Sequence, residues 1–185
     1  RFGADSEFIR RIRKAFGDES IIELETAPLS FQRQTETSLT GNSSFGFPGY
    51  FMGARKEYLD AQVYYHKNNG EIYYDYPMDT RPFPIPEPML PGRMKGIRRH
   101  FDVIIVSDFR LDGGSNLSNI EEIKAQKKFG YKTGLVQMNR YDYFANKKIN
   151  SKVRELLDGD DVQLLVYGEK VSCDLLIVRY PPILE

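Results

Sequence analysis

The chain has 185 residues, 41% hydrophobic, 28% charged and 13% aromatic, with 26 basic residues matched by 26 acidic ones. That balance excludes a long disordered polymer, a collagen and a coiled coil, and it disfavours a nucleic-acid binder as a whole-chain description. The single cysteine, Cys173, forms no internal disulfide or zinc cluster, and no apolar run approaches the ~18 residues of a membrane-crossing helix, so a cytoplasmic setting is expected.

In chain order, the first expected element is a helix in which Phe8, Ile9, Ile12, Ala15 and Phe16 recur at helical spacing, with basic residues on the other side and Gly17 as its stop. Asp5 is placed to cap it, and both Asp5 and Glu7 suit the positive end of the helix dipole. A short strand is expected at Ile21–Leu24, then a long loop over 26–48, rich in Ser, Thr, Gly, Asn and Pro. A second helix is expected from Tyr50 to Lys67, ended by Asn68-Asn69-Gly70, and a strand at Ile72-Tyr73-Tyr74. Six of the ten prolines fall between Pro77 and Pro91 and predict an extended, polyproline-like linker or strap.

The second half is more regular. Phe101–Ser107 is a continuous apolar run, as expected of a strand buried on both faces. A helix follows over Leu117–Phe129, with a Ser118/Glu121 capping box and Gly130 as its stop. Strands are expected at Thr133–Met138, Val162–Tyr167 and Leu175–Val178, with a helix at Asn150–Leu157. Strands alternating with helices predict an α/β fold: a mostly helical N-terminal segment and a small parallel-sheet, Rossmann-like unit.

The loop after Ser107 carries Gly113, Gly114, Ser115 and Asn116 just before the helix, beyond the carboxyl end of a strand, where open α/β sheets bind ligands. The spacing fits a backbone approach to acceptor or phosphate, or a turn that uses glycine for geometry alone. Neither G-x-G-x-x-G nor G-K-[ST] is present, so neither a dinucleotide nor a triphosphate is indicated. His66 and His100 lie far apart in sequence, without a neighbouring carboxylate pattern, which disfavours a metal site. Cys173 reads as a buried structural thiol. The tyrosines between Tyr50 and Tyr76 read as packing with their hydroxyls at the surface, or as a sugar-stacking surface.

Two segments resemble known families. Arg-Phe-Gly-Ala-Asp5-Ser-Glu7-Phe resembles the Gly-x-Asp-x-Glu region that ends the catalytic core of family 2 glycosyltransferases with the GT-A fold. Ser38-Leu-Thr-Gly-Asn42-Ser43, Gly53-Ala-Arg55-Lys-Glu-Tyr58, Tyr65-His66 and Arg81-Pro-Phe-Pro84 resemble the extension of large bacterial polysaccharide glycosyltransferases. Asp102-Val-Ile-Ile-Val-Ser-Asp-Phe-Arg-Leu-Asp-Gly113-Gly114-Ser-Asn, followed by Gly130-Tyr-Lys-Thr-Gly-Leu-Val, resembles the opening strand, glycine loop, helix and second strand of a GT-B glycosyltransferase. The resemblance implies three parts: the tail of a GT-A domain over 1–76, a proline-rich linker over 77–100, and the N-terminal half of a GT-B domain over 101–185.

It further implies a parent that moves sugar from a nucleotide-sugar onto a bacterial surface polysaccharide or glycan, with Asp5 as general base and Glu7 supporting it. Gly113, Gly114, Ser115 and Asn116 would meet acceptor or phosphate. No cofactor is expected within this chain; the parent would use Mg or Mn with the nucleotide-sugar. Its setting would be cytoplasmic, at the inner membrane face, through peripheral association. The opening Arg1 and the lack of an Asp-x-Asp motif before Asp5 lead us to expect a piece of a longer protein, catalytically silent alone. The competing expectations are a non-enzymatic Rossmann-like module for a small anion or protein partner, and a docking segment.

Overall fold

The computed structural model describes residues 3–27, 45–46, 51–91, 98–139 and 147–184. The chain divides into two compact units, Arg1–Phe83 and Pro84–Glu185. The boundary falls inside the proline-rich stretch. The expected loop over 26–48 and the Ser38–Ser43 motif lie almost wholly outside the described residues.

The first unit is built on helices α1 (Ala4–Phe16) and α2 (Ala54–Asn68). Gly17 ends α1 with a positive φ (+91°), which glycine adopts without strain. The start of α1 differs from expectation. Gly3, at φ +76°, is the N-cap; Asp5 lies inside the first turn, and no side chain caps the helix.

The packed face of α1 also differs. Phe8 is 53% exposed and Phe16 62%, whereas Glu7 is buried. Glu7, Arg11 and Lys14 lie at i, i+4 and i+7, one stripe of the helix; Glu7 and Lys14 hydrogen-bond to α2, and Arg11 pairs with Glu7. Burial of charge is tolerated because each charge there has a partner. Neither Ile21–Leu24 nor Ile72–Tyr74 forms a strand: among the described residues neither joins a ladder, and Ile22 and Leu24 stand in solvent.

The second unit is the expected α/β element. Strands β1 (Arg99–Ser107), β2 (Thr133–Gln137), β3 (Val162–Leu165) and β4 (Val171–Val178) form one sheet in the order β3-β2-β1-β4, with every pairing parallel. Helix α3 (Gly114–Lys128) connects β1 to β2, and the short α4 (Ser151–Arg154) connects β2 to β3. One core gathers Val103, Ile105 and Leu135 of the sheet with Ile120, Ile123, Val153 and Leu157 of the helical connections. On the other face Phe101, Ile104, Val106 and Leu165 pack with Ile183. Strand β1 feeds both cores, which is why its centre, Val103–Val106, is an unbroken apolar run.

Helix α3 begins at Gly114, four residues before Ser118, so Ser118 lies within the helix and forms no capping box; Glu121 instead pairs with Lys124 at 2.8 Å. Its end is as expected. Gly130 takes φ +76°, its N–H donates to Lys127 O, and Tyr131 N–H donates to Gln126 O, a Schellman closure. Asn150 caps α4 through its side chain, which accepts from Lys152 N–H. Among the described residues, no helix is long and apolar enough to cross a membrane.

Candidate functional site

In the first unit, the two carboxylates singled out from the sequence have opposite surroundings. Asp5 is exposed in the uncapped first turn of α1. Glu7, two residues on, is 7% exposed; its Oε1 lies 3.1 Å from Arg11 Nε and 3.1 Å from His66 Nε2. Glu7 is thus clamped between its own helix and α2, while Asp5 is left available.

His66 is the residue that sequence reasoning missed. It is 8% exposed and does have a carboxylate partner, but one 59 positions away. Its backbone carbonyl also accepts from Lys14 Nζ, and Asn69 O accepts from the same ammonium at 2.9 Å. One residue of α2 therefore ties α1 at two points, two turns apart.

The tyrosines divide. Tyr73 and Tyr76 are exposed, but Tyr58 is buried against Phe83, with ring centroids 5.7 Å apart. The Arg11 guanidinium lies 4.3 Å from the Tyr74 ring centroid. The Tyr74 hydroxyl is buried without a hydrogen-bond partner. Burial, and then the Glu7 charge, pushes its pKa up to about 12. Burial and Glu7 also raise Tyr58. The surface-hydroxyl reading therefore fails for Tyr74, whose hydroxyl is buried.

In the second unit, the carboxyl ends of β1 and β2 meet the start of α3. Asp108, just past β1, accepts from Arg110 Nε and Nη2 (2.8 Å each), from Arg110 N–H (3.1 Å) and from Gln137 Nε2 (2.9 Å). Burial pushes the Asp108 carboxyl up, but the Arg110 and Gln137 hydrogen bonds outweigh it and hold the pKa below the ordinary value. Gln137 Oε1 in turn accepts from Phe109 N–H at 2.8 Å, so the turn leaving β1 is fastened to β2.

Beyond this buried pair, Gly113, Gly114 and Ser115 are exposed and Asn116 is buried. Asn116 Nδ2 donates to Leu111 O at 2.7 Å, and Asn119 Nδ2 to Ser107 Oγ at 3.0 Å; the Oδ1 of each is buried without a partner. A Cβ on Gly113 or Gly114 would meet nothing within 4 Å, and Gly113 is extended (φ −86°). No internal contact demands glycine at either position.

His100 lies at the opposite end of β1, 3.0 Å from Ser172 Oγ and 3.2 Å from Asp174 Oδ1, and is solvent-exposed. Cys173 is a free, half-buried thiol packed beside the second core. Among the described residues, no three His, Cys, Asp or Glu side chains converge as metal ligands.

No family model, curated protein or solved structure matches this chain.

Proposed function

We propose that this chain is part of a glycosyltransferase that moves a sugar from a nucleotide-sugar onto a bacterial surface polysaccharide or glycan. In this reading, Asp5 takes the proton of the acceptor hydroxyl as that oxygen bonds to the anomeric carbon. The bond from that carbon to the nucleotide's terminal phosphate breaks, and the nucleoside diphosphate leaves. Glu7 holds the first turn of α1 in place. Backbone at Gly113 and Gly114, with Ser115 and Asn116, meets acceptor or phosphate at the head of α3. Mg or Mn, if the parent uses one, is held outside this chain, and the parent works at the cytoplasmic face of the inner membrane.

The observation that carries this reading is the division between two carboxylates two residues apart. An acid–base group must reach its substrate, and Asp5 is exposed; a group that fixes geometry is better buried and doubly held, as Glu7 is. Support also comes from the chain order of the resembling segments and from glycines at the carboxyl edge of a parallel sheet that no internal packing requires.

A second reading, a binding module for a small anion, draws on the unpartnered Asn116 and Asn119 carbonyls near that same loop. Calorimetric titration of UDP- and GDP-sugars separates the two. The enzyme reading expects donor affinity in the full-length protein, with turnover lost in Asp5→Asn and none from residues 1–185 alone. Affinity that ignores Asp5, is lost in Gly113→Val and is accompanied by no turnover in the full-length protein favours the module. Sugar transfer by residues 1–185 alone contradicts the fragment reading.

A further inference from the structure

We infer that His66 is a positioning residue that holds Asp5 in register through Glu7; this rests on the glycosyltransferase reading above. Asp5 sits on a helix turn whose start has no side-chain cap: Gly3, the N-cap, offers only backbone. A helix end without a cap frays, and a fraying turn spreads a carboxylate over many positions. What fixes this turn is the next residue pair. Glu7 N–H donates to Gly3 O at 2.8 Å, closing the turn, and the Glu7 side chain is pinned 3.1 Å from His66 Nε2 on α2.

The His66 ring is itself held. It is buried, it lies beside the Tyr65 ring at 6.2 Å, and it belongs to a residue whose carbonyl is taken by Lys14. The chain of contacts therefore runs from α2 through the imidazole to Glu7, and through the closed turn to Asp5. Arg11 shares Glu7 Oε1 from the same helix and rests against the Tyr74 ring; His66 is the hydrogen-bond partner that ties the Glu7 carboxylate to α2. A displacement near 1 Å at a catalytic group costs roughly a hundredfold in rate, so a tie of this kind acts on turnover more than on donor binding.

The test uses the full-length protein and measures nucleoside diphosphate release from UDP-glucose, UDP-galactose, UDP-N-acetylglucosamine and GDP-mannose. His66→Phe keeps the ring volume and removes the hydrogen bond. Its kcat is expected to fall roughly ten- to a hundredfold, with KM for the donor within about threefold. His66→Gln, whose amide N–H reaches as the imidazole nitrogen does, is expected to recover most of the rate. Lys14→Met removes the other tie, at the far end of α1, and is expected to leave kcat unchanged.

Should His66→Phe not fold, His66→Asn, whose shorter amide cannot reach Glu7, takes its place. Unchanged kcat in His66→Phe beside a silent Asp5→Asn overturns the role of His66 alone. A fall in Lys14→Met as large as that in His66→Phe makes His66 a general structural tie and overturns it equally. Full activity in Asp5→Asn, or release from none of the four donors by the wild type, counts against the reading on which the inference rests.

Discussion

Asp108→Ala is the perturbation whose size the structure sets most clearly. The Asp108 carboxylate accepts four hydrogen bonds, three of them from Arg110, and both residues are 5% exposed. Replacing it withdraws from a buried guanidinium the anion that receives two of its N–H groups. Removing one partner of a buried ion pair costs about 3–5 kcal/mol. It also removes an acceptor for Gln137, which fastens the turn after β1 to β2. Against a domain stability of about 5–15 kcal/mol, that loss takes about a fifth of the total or more.

Scanning calorimetry of the chain measures it. The transition of the second unit is expected to fall by roughly 12–25 °C, at about 4–5 °C per kcal/mol for a unit near 100 residues. The double change Asp108→Leu with Arg110→Met, which removes both charges, is expected to recover much of the loss. The pH dependence follows from the sign of the shift. The folded carboxyl lies below its unfolded value, so its contribution is present above pH ~4 and is lost as the pH falls through the folded value. In Asp108→Ala that part of the acid limb disappears. A cost under about 1 kcal/mol, with the acid limb unchanged, refutes the buried-pair reasoning.

Three further outcomes are expected. Gly134→Val forces a Cβ to 2.8 Å from Leu165 Cδ1 and 3.1 Å from Ile104 Cγ1 between β1 and β3; urea unfolding is expected to show a loss of about 1–3 kcal/mol. Leu135→Ala, at a side chain with no exposure in the first core, is expected to cost about 2–5 kcal/mol in the same assay. The Tyr74 phenol is raised to about 12, so its contribution to the first unit is present below pH ~10 and fades as the pH climbs through the folded value. Ultraviolet titration is expected to lose a late-ionising phenol in Tyr74→Phe; an unchanged curve contradicts that assignment.

The second unit was legible because its signals are local. The β-branched run Val103–Val106 within Phe101–Ser107 fits a strand buried on both faces, and Gly130 marks the end of α3 by a positive φ that glycine takes easily. The start of α3 was misplaced because exposed Gly113 and Gly114 read as loop, while Ser118 and Glu121 imitate a cap from inside the helix. In the first unit the helices were legible and their packing was not. The periodicity of Phe8, Ile9 and Phe16 marks an apolar face, but which face packs depends on Glu7 meeting His66, and a contact across 59 positions leaves no trace in spacing. Ile21–Leu24 and Ile72–Tyr74 have strand composition but no ladder partner. Asp108 and Arg110 stand two positions apart in the sequence, yet nothing local says that they are buried.

The measurement that bears most directly on the central claim is nucleoside diphosphate release by the full-length protein, wild type against Asp5→Asn and Asp5→Glu. The account predicts release by the wild type, a fall of about 10²–10⁴-fold in Asp5→Asn, and partial recovery in Asp5→Glu, where a carboxylate returns one methylene out of place. Equal rates in wild type and Asp5→Asn, with both proteins folded, would contradict it.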